Sequence, residues 1–146
     1  MRLLACVTSF VAAGALLAAC GALSVQQEFE TEADFDGFHT YAWVPPAADE
    51  TSELTRERLK RAITSELAYR GLKDSPDSAD LYVTYEIESE IKGARLTIKF
   101  VEATTKRTVW SGWADDAIGD SSVAVTQNRA LSVAGAILSQ YPPHVK

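Results

Sequence analysis

Cysteine is nearly absent. The 146 residues hold two, Cys6 and Cys20, and Cys6 lies in a segment unlike the rest. Once residues 1–19 are set aside, Cys20 is the only thiol. No disulfide can then form within the chain, and its fold must rest on an apolar core. Histidine is as scarce. His39 and His144 are far apart, and neither has cysteine or glutamate neighbours at a metal-ligand spacing, so no metal site is expected. There is no cluster of lysine and arginine, and acidic residues outnumber basic ones by twenty to fourteen. This excludes nucleic acid as a partner, because its binding depends on phosphate neutralisation. No apolar run reaches the roughly 20 residues that a membrane-spanning helix needs. Repeats and low-complexity tracts are missing, and 23% charged residues with regular apolar periodicity argue against disorder. The length after residue 19 accommodates one domain with a true core and hardly two.

The start of the chain is a different matter. Met1-Arg2 is a short basic opening, and Leu3–Leu17 is uncharged and apolar apart from Thr8 and Ser9. Leu17-Ala18-Ala19-Cys20 follows. Apart from Arg2, every charged residue lies beyond this point. Basic opening, apolar stretch and small residues before a cut site are the parts of an export signal, in order. The cysteine directly after them makes L-A-A-C resemble the lipobox of bacterial lipoproteins. That resemblance implies diacylglycerol transfer to the Cys20 thiol, cleavage between Ala19 and Cys20, and acylation of the new amino group, with palmitate among the acyl chains. Two or more chains hold a protein stably on a membrane where one would not. With Gly21 rather than aspartate next, the resemblance also implies delivery to the outer membrane, facing the periplasm.

Beyond the tether the periodicity gives the elements. Val25–Phe29 alternates weakly. Phe38–Val44, F-H-T-Y-A-W-V, is aromatic and β-branched, and Pro45-Pro46 stops it, which predicts a strand. From Glu53 to Arg70, Leu59, Ile63 and Leu67 recur every four residues, and Gly71 stands where a helix ends. Along Ala79–Glu90, Leu81, Val83, Tyr85 and Ile87 share one face, while Tyr82, Thr84, Glu86 and Glu88 share the other. A Lys92-Gly93 turn, a strand over Arg95–Phe100, a Thr104–Lys106 turn and a strand over Thr108–Ala114 complete an antiparallel meander. A polar loop over Ala114–Ser122 and a helix over about Ser122–Gln140 follow, and Pro142-Pro143 ends the helix. The expected fold class is α+β: a single, mainly antiparallel sheet of about five strands, in the order β-β-α-β-β-β-α, with two helices packed on one face. Residues 1–19 are read as the signal peptide, 20–27 as a lipidated tether and 28–146 as a single domain.

In order, the chain carries A-D-F-D-G-F-H-T-Y-A-W (Ala33–Trp43), E-L-A-Y-R-G-L (Glu66–Leu72) and S-A-D-L-Y-V-T-Y (Ser78–Tyr85). It continues with L-T-I-K-F-V-E-A-T-T-K-R-T-V-W-S-G-W-A (Leu96–Ala114) and Y-P-P (Tyr141–Pro143). With the lipidated cysteine ahead of them, these motifs resemble the bacterial lipoproteins grouped as domain of unknown function four-one-three-six. The resemblance implies a location and a fold class; it brings no activity, substrate or catalytic residues.

The residues themselves supply no reaction centre. Asp34 and Asp36 in D-F-D-G lack the third acidic position and distant glutamate of a calcium loop, and read as a turn. Asp115, Asp116 and Asp120 read as a solvated strand end and a helix cap rather than an acid–base pair. Ser111-Gly112 lies inside a strand, where a nucleophile elbow does not form. His39 reads as an ordinary strand position. No catalytic residue, metal or cofactor is expected, and the protein is read as a non-enzymatic interaction or accessory module. Trp43, Trp110, Trp113 and Tyr82 are the candidate aromatic recognition surface, for an envelope protein or glycan; in strand alternation Trp110 and Trp113 face opposite sides. The alternative reading is a carrier that holds a lipid or other small ligand between sheet and helices.

Overall fold

The computed structural model describes residues 23–47, 51–91, 93–119 and 123–144. Three long strands form the middle of the sheet, and their alternation decides which side is buried. β4 (Leu81–Glu90) turns Leu81, Val83 and Tyr85 inward, β5 (Gly93–Glu102) turns in Leu96, Ile98 and Phe100, and β6 (Thr108–Ala114) turns in Trp110 and Ala114. β4 pairs antiparallel with β5, and β5 with β6, with a bulge at Phe100/Val101. β1 (Val25–Phe29) adds antiparallel to the free edge of β6.

The other half of the sheet differs from expectation. β2 (Thr40–Trp43) pairs with β4 in the parallel sense, and a two-residue strand, β3 (Lys73–Asp74), pairs parallel with β2 at the outer edge. The sheet is therefore mixed and six-stranded, in the order β1-β6-β5-β4-β2-β3, rather than mainly antiparallel with about five. The reason is the connection. Between β2 and the strands that follow, α1 (Glu53–Tyr69) runs back along the sheet, so the chain re-enters it from the same end. The ordered sheet also begins at Val25, inside the stretch read as tether.

Each helix is delimited by its sequence. The Ser52 hydroxyl accepts the Thr55 N–H at 3.2 Å, capping α1. At the other end Gly71 takes a positive φ of 82°, and two reverse hydrogen bonds, Leu72 N–H to Leu67 O and Gly71 N–H to Ala68 O, form a Schellman motif. α2 (Gln127–Leu138) starts later than expected, where Thr126 accepts the Arg129 N–H at 3.1 Å. Ala117, Ile118 and Val125 are buried, so the segment between β6 and α2 is less polar in practice than it reads. Both helices cover one face of the sheet and contribute to one apolar core. Arg70 locks their C-terminal ends together: its Nε donates to Leu138 O at 2.7 Å, and Glu66 holds its Nη1 at 2.9 Å.

Candidate functional site

Most of the sequence motifs turn out to hold the fold. The Asp80 carboxylate accepts the backbone N–H groups of His39 and Thr40 at 2.8 and 2.9 Å, and the Thr40 hydroxyl at 3.0 Å. These bonds join A-D-L-Y to F-H-T-Y, and they hold the Asp80 carboxyl below the usual carboxylate range. Phe35, Phe100, Trp110 and Tyr141 meet edge to face or tilted, with centroids 4.7–5.9 Å apart, so F-D-G-F, V-W-S-G and Y-P-P converge in one aromatic cluster. The Trp110 indole N–H donates to Gln27 Oε1 at 3.0 Å. Trp110 is fully buried on the helix-covered face, which corrects its assignment to a recognition surface.

The remaining aromatic candidates are dispersed. Trp113 stands half-buried on the open face of the sheet, between Gln26 on β1 and Thr97 on β5. Tyr82 is on the same face but pairs with Val101, four residues further along β5 and one strand beyond it. That spacing separates Tyr82 from Trp113 by roughly 16 Å. The face between them carries the Lys99–Glu86 ion pair at 2.7 Å, and beyond Trp113 Arg95 pairs with Asp115 and Glu90 at 2.5 and 3.1 Å. Lys106 Nζ covers the Tyr82 ring at 4.5 Å. Trp43 lies on the opposite face, against Tyr85 at 5.9 Å. The four residues therefore do not form one patch.

Trp43 opens onto a cleft instead. It occupies about 840 Å³ between the N-terminal half of α1 and the chain leaving β2. Trp43 and Tyr85 form its aromatic wall, Pro45 and Pro46 stiffen one rim, and Lys60 and Arg61 of α1 lie across from them. Lys60 Nζ sits 5.5 Å from the Trp43 ring centroid, a cation–π contact. Arg56 on the same helix is paired with Glu53 at 2.8 Å. Lys60 and Arg61 form no ion pair among the described residues. Glu53 and Glu57 also line the cleft, so its charge is mixed, and the arrangement suits a flat or ring-bearing ligand with polar groups. The volume is within the range of small-molecule sites. Sequence reading found Trp43 but not its partners. Lys60 and Arg61 read as a solvated helix face, and only the parallel pairing of β2 with β4 sets that face across from the aromatic pair.

None of the groups with a clearly displaced ionisation lines this cleft. The Tyr41 hydroxyl is pushed up by burial and by Asp74, and that of Tyr141 by burial. His39, His144 and Asp116 are exposed, Asp34 and Asp36 flank or lie in a single 3₁₀ turn, and Ser111 is on the open face. Among the described residues no group of three His, Cys, Asp or Glu side chains is placed to hold a metal, and no helix is long and apolar enough to cross a membrane. Ala19, Cys20 and Asp120 lie outside the described residues.

The architecture is that of an α+β domain with two helices on a mixed six-stranded sheet. Residues 25–93 match the family model of a domain of unknown function (DUF4136), which supports the family that the motifs resemble. Comparison with curated proteins returns no match. Solved structures share the fold at low identity. A PDZ domain protein from Parabacteroides distasonis aligns with a TM-score of 0.63 at 14% identity, over 82% of this chain and 35% of that one, so this chain spans about a third of that protein's length. Two structures of the PelC dodecamer from Paraburkholderia phytofirmans align with TM-scores of 0.54 and 0.53 at 14% and 13% identity. Each covers 81% of this chain, and 95% and 96% of the PelC chain.

Proposed function

We propose that this protein is a lipoprotein of the bacterial envelope, anchored through acyl chains on Cys20 to the outer membrane and facing the periplasm. There it serves as a non-enzymatic interaction or accessory module. The observation that carries the reading is Leu17-Ala18-Ala19-Cys20 at the end of a basic-then-apolar opening, with the first strand starting only five residues later at Val25. A lipid anchor so close to the sheet keeps the domain at the membrane surface, where an envelope protein or glycan is within reach. In-situ crosslinking of the anchored protein followed by mass spectrometry tests this, with a Cys20→Ala form as control. A discrete partner that disappears on detachment supports the module; the same absence of partners in both forms contradicts it.

The cleft favours a second reading, a carrier of a small ring-bearing ligand. Native mass spectrometry of the protein as exported distinguishes the two. A bound mass that is lost in Trp43→Ala and Lys60→Glu supports the carrier.

A further inference from the structure

The anchor would leave the domain at one end of the sheet, and that end has a distinctive surface. β1 is antiparallel to β6, which is antiparallel to β5, so Val25 stands level with Ala114, Leu96 and Ile87. The chain therefore enters the sheet at the end where the β4–β5 turn projects. Both helices begin there too. Val125, just before α2, donates its N–H to the Thr55 hydroxyl in the first turn of α1 at 3.1 Å, and Ala117 N–H bonds Ala94 O beside the turn.

Six large apolar side chains are exposed among the described residues. Ile91 caps the β4–β5 turn and is wholly exposed, Leu54 is in the first turn of α1, and Val123 precedes α2 at 63% exposure. Val44 follows the end of β2 that points the same way, Leu131 is on α2, and Tyr69 alone marks the opposite end. Exposed apolar residues scattered singly need no explanation, but several gathered at the end that carries the tether do.

Chain length makes the placement specific. The five-residue step from Cys20 to Val25 reaches at most about 17 Å. Ile91 lies four residues beyond Ile87, so the turn projects roughly 13 Å past the level of Val25. An acylated Cys20 can reach little further than the turn itself. We propose that this end of the sheet rests on the bilayer, with Ile91, Leu54 and Val123 entering the headgroup region as apolar contacts. The occupant of this face is lipid. Of the described charges nearby, Arg95 is held among Asp115, Glu90 and Glu88, and Arg58 and Arg129 are tied to the carbonyls of Val125, Ala117 and Asp116, so the apolar side chains carry the proposed contact. This inference rests on the anchor reading and goes beyond it by fixing the orientation.

The test uses the acylated, processed chain, in which Cys20 is the only native cysteine and is blocked. Ile91→Cys, Val123→Cys and Tyr69→Cys forms each carry a nitrobenzoxadiazole label. They are placed in vesicles of phosphatidylethanolamine with a minor share of phosphatidylglycerol, some lipids bearing a nitroxide near the headgroup. The labels at 91 and 123 should shift to the blue and be quenched several-fold more than the label at 69. Equal quenching at the three sites, with intact mass confirming the acyl chains, overturns the orientation and leaves the anchor standing. Absence of acyl mass on Cys20 overturns both.

Discussion

The indole of Trp110 lies over Gly112, two residues further along the same strand. A Cβ at Gly112 would come within 2.6 Å of the indole Cζ2 and 2.9 Å of Ile137 Cγ2 on α2. W-S-G is therefore a packing unit: the glycine leaves the space into which the largest side chain of the core folds, and α2 closes over both. Gly112→Ala should destabilise the domain by about 1–3 kcal/mol through overpacking, read as a lower midpoint in denaturant with an unchanged slope. An unaffected midpoint would show that the ring can move aside.

Asp80 offers a test through pH. Its carboxyl is held below its ordinary value of 3.8 by the N–H groups of His39 and Thr40. A group whose folded pKa is lowered stabilises the fold above the unfolded value, and that stability is lost as the pH falls through the folded value. Asp80→Ala should cost about 2 kcal/mol at neutral pH, the range for hydrogen bonds to a charged group. The gap between wild type and variant should narrow only below about pH 4. Denaturation curves at neutral and acidic pH check this; a gap that does not change with pH would mean that the carboxylate charge is immaterial.

Tyr141 carries a buried hydroxyl without a hydrogen-bond partner among the described residues, inside the aromatic cluster. Tyr141→Phe removes a polar atom that gains nothing and keeps the ring. Thermal unfolding should show the variant at least as stable as wild type, with a gain of up to about 1 kcal/mol, whereas Tyr141→Ala should lose about 3–5 kcal/mol. A marked loss in Tyr141→Phe would reveal a partner for the hydroxyl.

Much of the fold was legible because its signals are local. The four-residue recurrence of Leu59, Ile63 and Leu67 marks a helix whatever surrounds it, and Leu81, Val83 and Tyr85 alternate without needing a partner strand. What escaped was non-local. Lys73-Asp74 is too short to alternate and exists as a strand only because Lys73 N–H and Ser75 N–H reach His39 O and Tyr41 O. The direction of β2 against β4 is likewise set by α1 and not by either strand's residues. For the same reason the cleft could be read only in part: Trp43 stands out in any sequence, but Lys60 and Arg61 become its neighbours through tertiary placement. Strand parity did separate Trp110 from Trp113, although it could not tell which of them the helices cover.

The chemical state of Cys20 is the measurement to make. Metabolic labelling with palmitate, followed by intact mass of the purified protein, should show a chain beginning at Cys20 that carries diacylglycerol and an amide-linked acyl group. Cys20→Ala should take up no label and leave the membrane fraction. An unlabelled wild type, or one released from the membrane with a free Cys20 thiol, would contradict the anchor and the membrane-facing orientation of the domain.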